Sequence, residues 1–234
     1  MRVYKNVRAF TLVELLTVIS VIGILTAILA PFVGKAIDKA HKLRASKNLQ
    51  QIAMAYASFS LKSSSKELNL CKTANEWAGV MAKHDILNSA SIFILGDDYL
   101  SEQNTHDTPK TIGSKKDGIW HMNEGFKDYP LSVVVITGVS SHAPADTTPI
   151  AYTRGLDNVS GVWRKSDGNS GGVYGEDGGF IVFLDGHVEF FENLVDPENK
   201  LVNFYTGERT SEISEAVNHG ARALSWLGIE WTAE

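Results

Sequence analysis

Glu14 is the one charged residue between Phe10 and Ala30, a run of 21 residues. A carboxylate so placed calls for a cationic partner, or for a position near the end of the run where water reaches it. Asp167, Asn169, Glu176 and Asp177 are four oxygen donors within a Gly-rich stretch. Asp167-Gly-Asn169-Ser-Gly171 resembles the first half of an oxygen-ligand loop for Ca2+, without the distal bidentate Glu. A loop of solvated acids is the simpler reading of the same residues. Ser141-His142 and Asp185-Gly-His187 bring nucleophile, base and acid types together in sequence, but no G-x-S-x-G elbow or H-E-x-x-H helix accompanies them. His187 reads as a solvated residue after a turn, and no catalytic residue is predicted. The glycines from Gly171 to Gly179 are not followed by a helical pattern, which argues against a phosphate cradle. Cys71 is the sole cysteine; it excludes an internal disulfide and thiolate metal centres, and reads as a small apolar residue.

These residues need elements to hold them, and the longest is at the N-terminus. Phe10 to Ala30 would extend about 31 Å as a helix at ~1.5 Å per residue, enough for a ~30 Å hydrocarbon layer. The leader MRVYKNVRA carries Arg2, Lys5 and Arg8. A secretory signal would place its small-residue cleavage site after a shorter apolar stretch, whereas here Ala9 precedes a long one. Cleavage between Ala9 and Phe10 would create an α-amino group about one turn from Glu14, and a neighbouring subunit's amine could serve equally; a tolerated interfacial Glu is the alternative. Gly23 weakens the helix, and Pro31 lacks an N–H and clashes with the carbonyl four residues back, so the segment between them is a predicted helix break.

The segment R-A-F-T-L-V-E-L-L-T-V-I-S-V-I-G-I-L-T-A-I-L-A-P resembles the N-terminus of type IV pilins and type II secretion pseudopilins. The resemblance implies that a prepilin peptidase of the bacterial inner membrane removes residues 1–9 and methylates the new N-terminal Phe10. It implies that Glu14 serves assembly and that Pro31 bends the stem. The family normally has Gly before the cut; Ala9 stands there in this chain. Further implications are a helical homo-oligomeric filament, an inner-membrane assembly platform as partner, and a single pass with cytoplasmic N-terminus and periplasmic head. The positive-inside rule leaves that orientation open, since basic residues flank the span on both sides.

Past Pro31, Ala45, Leu49, Ile52, Tyr56 and Phe59 recur at helical spacing and form one apolar stripe, ending near Ser63-Ser64-Ser65. Lys35, Lys39, Lys42, Arg44 and Lys47 decorate the preceding turns. Formal charge is +3 over residues 1–9, −1 over 10–31, +4 over 32–50 and −11 over 51–234. A short basic stem without interleaved aromatics, on an acidic chain, points away from nucleic acid and toward lipid phosphates or the acidic heads of neighbouring subunits.

The organisation read from this is a leader over 1–9, a membrane and filament-core helix over 10–31, an amphipathic stem over 32–62 and a head over 63–234. The fold class is α+β and pilin-like: a long kinked helix packed on an antiparallel sheet. In the head, Thr73–His84 reads as a helix with Thr73 as N-cap, and Leu131–Thr137 and Ile150–Arg154 read as strands. Phe180–Leu184 and His187–Phe191 read as a hairpin closed by a two-residue type I′ turn at Asp185-Gly186. Thr210–Ala223 reads as a helix. The run G-G-F-I-V-F-L-D-G-H-V-E-F-F also resembles the C-terminal motif of enlarged pseudopilin-like proteins, with Gly175 where that group has His. The major pseudopilin is known as a family for a calcium-stabilised C-terminal loop, which is the resemblance's contribution to the Ca2+ expectation. The function implied is that of a structural filament subunit; a membrane-anchored periplasmic binding module is the alternative.

Overall fold

The computed structural model describes residues 11–62, 66–104 and 107–234; residues 1–10, which include the expected leader, and residues 63–65, 105 and 106 lie outside them. The chain divides into two compact units, Met1–Lys42 and Leu43–Glu234. Helix α1, Leu12–Lys62, supplies the described part of the first unit and the opening of the second.

In the first unit, α1 continues through Gly23 and Pro31 without an interruption. A proline inside a helix removes one backbone hydrogen bond, and the turns on either side keep theirs. Neither residue ends the helix of the single chain.

In the second unit, the apolar stripe does what its spacing requires. Ala45, Leu49, Ile52 and Phe59 are fully buried and Tyr56 nearly so, within one core that also contains Trp77, Met81, Phe93 and the central strands. The stripe thus belongs to the second compact unit, which begins at Leu43.

Helix α2, Ala74–Lys83, starts on Thr73, whose side chain accepts from the Glu76 N–H. Glu76 reaches back to the Lys72 N–H at 2.7 Å, so each residue satisfies a donor the helix start leaves open. Two short helices follow, α3 at Tyr99–Gln103 and α4 at Glu124–Lys127.

Strands β1 (Gly113–Lys116) and β2 (Ile119–Met122) form a separate hairpin. The main sheet comprises β3 (Val133–Thr137), β4 (Pro149–Thr153), β5 (Gly179–Phe183), β6 (Val188–Phe191), β9 (Arg222–Leu224) and β10 (Ile229–Thr232). The pair β7 (Leu201–Val202) and β8 (Arg209–Thr210) stands apart. The main sheet is antiparallel in the order β10-β9-β3-β4-β5-β6. Every residue of β3, β4 and β5 is buried, which is why LSVVVIT is a continuous apolar run and not an alternating one.

Two local expectations are corrected. The β5–β6 turn is not a two-residue type I′ loop: Phe183 N–H donates to His187 O at 3.0 Å and Gly186 N–H to Phe183 O at 2.9 Å, giving a three-residue loop. Only Gly186 there has positive φ, 91°. The Leu184 and Asp185 N–H groups donate to Thr148 and Ala145 carbonyls at 3.0 and 2.9 Å, and this tie fixes the wider turn. The two-residue loop of the expected kind is instead at Asp117-Gly118, where φ is 52° and 79° and Lys116 faces Ile119.

Thr210–Ala223 is not a helix. It holds the end of β8, a single 3₁₀ turn at Ile213–Ala216 and the start of β9. Ile213 and Val217 are buried, as an apolar helical face would be. Pairing of β9 with β3 and a positive φ of 80° at Gly220 decide the local conformation.

Candidate assembly site

The apolar N-terminal surface is built from Leu12–Ala30, 19 residues of mean hydropathy 2.5 and none of them buried. At ~1.5 Å per residue it spans about 29 Å, long and apolar enough to cross a membrane. Its polar side chains are all turned back on the helix. Thr17 Oγ1 donates to Glu14 O at 2.9 Å, Ser20 Oγ to Leu16 O at 2.8 Å and Thr26 Oγ1 to Ile22 O at 2.8 Å. In hydrocarbon a hydroxyl without a partner is costly. These three need none from outside.

Glu14 has partners as well. Thr11 N–H and Thr11 Oγ–H both donate to Glu14 Oε2, at 2.9 and 2.7 Å, and the Glu14 N–H donates to Thr11 Oγ1 at 3.3 Å. Thr11-x-x-Glu14 before an apolar run is a capping-box pattern, legible in the sequence and absent from the expectations above. Ala9 and Phe10, the residues expected to flank the cut, lie outside the described residues.

The expected Ca2+ ligands are arranged differently. Asp167, Asn169, Glu176 and Asp177 are all exposed, and no group of three or more His, Cys, Asp or Glu side chains able to hold a metal occurs among the described residues. The carbonyls of the loop are engaged. Tyr99 OH donates to Asp167 O at 2.8 Å and also to Gly168 O, and Arg154 Nε donates to Gly171 O at 3.0 Å. The glycines serve close approach of backbone to backbone: a Cβ on Gly155, at φ 106°, would fall 2.2 Å from Gly172 Cα.

Arg154 is the centre of this part of the head. Its side chain and that of Asp98 are 1% and 0% exposed. Nη1 and Nη2 donate to the two Asp98 carboxylate oxygens at 2.9 and 2.7 Å, and Nη1 also donates to Leu131 O at 2.8 Å. Ser132 Oγ donates to Asp98 Oδ2 at 2.6 Å, while Asp98 Oδ1 accepts from the Leu100 N–H at 3.1 Å and so caps α3. One bidentate pair thus joins the α3 start, the approach to β3, the end of β4 and the Gly-rich loop. Nothing local in the sequence signals it, since the partners are 56 residues apart.

The other candidates form no catalytic array. Ser141 Oγ and His142 Nδ1 are 3.3 Å apart on an exposed turn, and among the described residues no carboxylate is hydrogen-bonded to His142. His187 Nδ1 lies 2.6 Å from Asp185 Oδ1 and its ring stacks on Phe183 at 4.2 Å, an exposed pair that stiffens the β5–β6 turn. Cys71 is buried, and burial raises its thiol pKa to about 11, so it stays protonated.

A long N-terminal helix with an antiparallel sheet domain defines an α+β, pilin-like fold. Residues 4–30 match the family model described as the prokaryotic N-terminal methylation motif, which supports the type IV pilin or pseudopilin-like signature. No curated protein and no solved structure matches the chain.

Proposed function

We propose that the chain is the precursor of a structural subunit of a pilus-like filament, a type II secretion pseudopilus or a type IV pilus-like fibre. The observation that carries this reading is the first part of α1: a methylation motif leads into an exposed, predominantly apolar stretch of 19 residues whose polar side chains are internally satisfied. Such a surface is compatible with lipid before assembly and with neighbouring copies of itself afterwards, because both are apolar and neither offers hydrogen bonds.

In this reading a prepilin peptidase of the bacterial inner membrane cuts between Ala9 and Phe10 and methylates Phe10. The N-terminus is cytoplasmic and the head periplasmic until an inner-membrane assembly platform moves subunits into the fibre. Glu14 then exchanges Thr11 for the Phe10 amine of a neighbouring subunit. The Gly23–Pro31 segment is where α1 unwinds if lateral packing requires it. The basic turns at Lys35, Lys39 and Lys42 face lipid phosphates or acidic heads. Ca2+ at the Asp167–Asp177 loop is no step of this mechanism.

The test is electron microscopy of sheared material, with intact-mass analysis of its main band. Helical fibres of a chain starting at N-methyl Phe10 are expected. A chain starting at Met1, or cut after Ala30, overturns the reading. A membrane-anchored periplasmic binding module is the second reading, favoured by a mixed polar and apolar cavity in the head; processed protein that never forms fibres would select it.

A further inference from the structure

Outside α1, three of the exposed large apolar side chains stand together: Val159, Leu227 and Ile229, at 76%, 53% and 48% exposure. They border one cavity of about 390 Å³ beside the edge strand β10. That volume falls in the ~300–1,000 Å³ range of small-molecule sites.

The wall is polar and already fixed. Arg164 Nη2 donates to Asp157 Oδ2 at 2.7 Å, and Asp157 Oδ1 accepts from the Val159 and Ser160 N–H groups at 3.2 and 2.9 Å. Asn158 Oδ1 accepts from the Ser214 N–H at 3.0 Å, which orients its amide hydrogens. Tyr152, fully buried, donates to Glu230 Oε2 at 3.1 Å and accepts from Trp231 Nε1 at 3.0 Å. The Trp231 ring and the Glu230 carboxylate are therefore set by one hydroxyl beneath them.

We propose that this cavity binds a neutral saccharide. The lining offers donors in Arg164 and Asn158, an acceptor in Glu230, and apolar surface in Trp231, Leu227 and Ile229. A sugar ring presents the complementary set, hydroxyls that donate and accept around its edge and C–H groups on its face. Charge selects against other ligands. Arg164 is already neutralised by Asp157, so an anion gains little and meets Glu230; a cation finds only the Glu230 carboxyl, one oxygen of which already accepts from Tyr152, and leaves the donors of Asn158 and Arg164 unanswered. A wholly apolar ligand would strip water from the guanidinium, amide and carboxylate and return no hydrogen bond. The site lies wholly within the head unit and does not depend on the filament reading.

The experiment uses the full chain in a detergent without a sugar headgroup, lauryldimethylamine oxide. Maltohexaose, cellohexaose, chitohexaose and mannohexaose are titrated by calorimetry, with spermidine and a sulfated hexasaccharide as charged probes. At least one neutral probe should bind with a dissociation constant of about 1 mM or below, some −4 kcal/mol. Leu227→Asp and Glu230→Gln should each weaken that binding at least fivefold while melting no lower than the parent chain. Trp231→Ala removes the ring and also a Tyr152 partner, so the decision rests on the other two. Failure of all four neutral probes, preference for a charged one, or unchanged affinity in both variants overturns the proposal. Fibre formation is unaffected by any of these outcomes, so failure here and failure of the filament reading are distinguishable.

Discussion

Thr11 and Glu14 close a reciprocal cap at the start of α1, the threonine donating twice to one carboxylate oxygen and accepting from the Glu14 N–H. The carboxylate is thereby satisfied in the unassembled chain, inside its own first turn. An amine supplied by a neighbouring subunit would compete with this cap or take the second carboxylate oxygen, and it brings a positive charge where Thr11 brings only dipoles.

The two roles separate by mutation. Glu14→Ala should leave the head folded and the chain inserted while fibre yield falls sharply. Thr11→Val should weaken the helix start by about 1 kcal/mol, the usual value of an N-cap, and leave fibre yield near normal. Quantitative immunoblotting of sheared and membrane fractions measures both. Equal losses in the two variants would mean that capping, and not the intersubunit charge, is what assembly needs.

The buried pair Asp98–Arg154 provides a second prediction. Removing one member leaves the other charge buried without its counter-ion, which typically costs about 3–5 kcal/mol. Arg154→Met and Asp98→Leu should each lower the melting temperature markedly, and the double variant should recover part of the loss. Because both side chains are screened from solvent, the single-variant penalties should persist in high salt. A double variant no more stable than either single one would show that Leu131 and Gly171 depend on the guanidinium itself, and Ser132 on the carboxylate.

The same guanidinium bears on calcium. Arg154 and Tyr99 already donate to the carbonyls of Asp167, Gly168 and Gly171, groups that an oxygen-coordinating ion would need turned inward. Melting curves in millimolar Ca2+ and in chelator should coincide, whereas Tyr99→Phe should lower the melting temperature by releasing the loop. A higher melting temperature in Ca2+ that Asp167→Ala abolishes would restore the metal-loop expectation.

Local signals carried much of this architecture, and contacts distant in sequence carried the rest. The stripe from Ala45 to Phe59, the Thr73 cap of α2 and the strands at Val133, Pro149, Gly179 and Val188 are each written in spacing and residue type over a few turns. The turn at Asp185-Gly186 departs from its two-residue form because Ala145 and Thr148, some forty residues away, claim its N–H groups. The true two-residue turn at Asp117-Gly118 is flanked by Gly-Ser-Lys-Lys, which has no strand-like pattern to announce it. Between Thr210 and Ala223 the apolar spacing is helical, yet Asn218 bonds to Gly138 O and accepts from the Ser140 N–H, drawing the segment to the end of β3. The cavity walls beside β10 come from segments some seventy residues apart and have no local signature at all.

Two carboxyl groups of that cavity predict pH responses of opposite sign. The Arg164 guanidinium, then the Ser160 N–H, pull the Asp157 pKa down to about 2. Its folded value lies below the ~3.9 of a free aspartate, so its contribution to stability is whole above about pH 4 and is lost as pH falls toward 2. Both partners are partly exposed, which keeps the effect small and salt-sensitive. Arg164→Gln should accordingly move the acid unfolding midpoint to higher pH, and less so in 1 M salt. Glu230 is exposed as a residue, but its carboxyl lies against Tyr152, and burial there raises its pKa. A carboxyl whose folded pKa exceeds its unfolded one favours the native state at low pH and loses that advantage as pH rises through the folded value. Glu230→Gln keeps an oxygen acceptor for Tyr152 and has no charge to bury, so it should melt higher than the parent chain at pH 7 and match it near pH 4. Melting temperatures across pH 3–8 check both signs at once; a Glu230→Gln difference that stays constant over that range would assign its effect to packing and not to the proton.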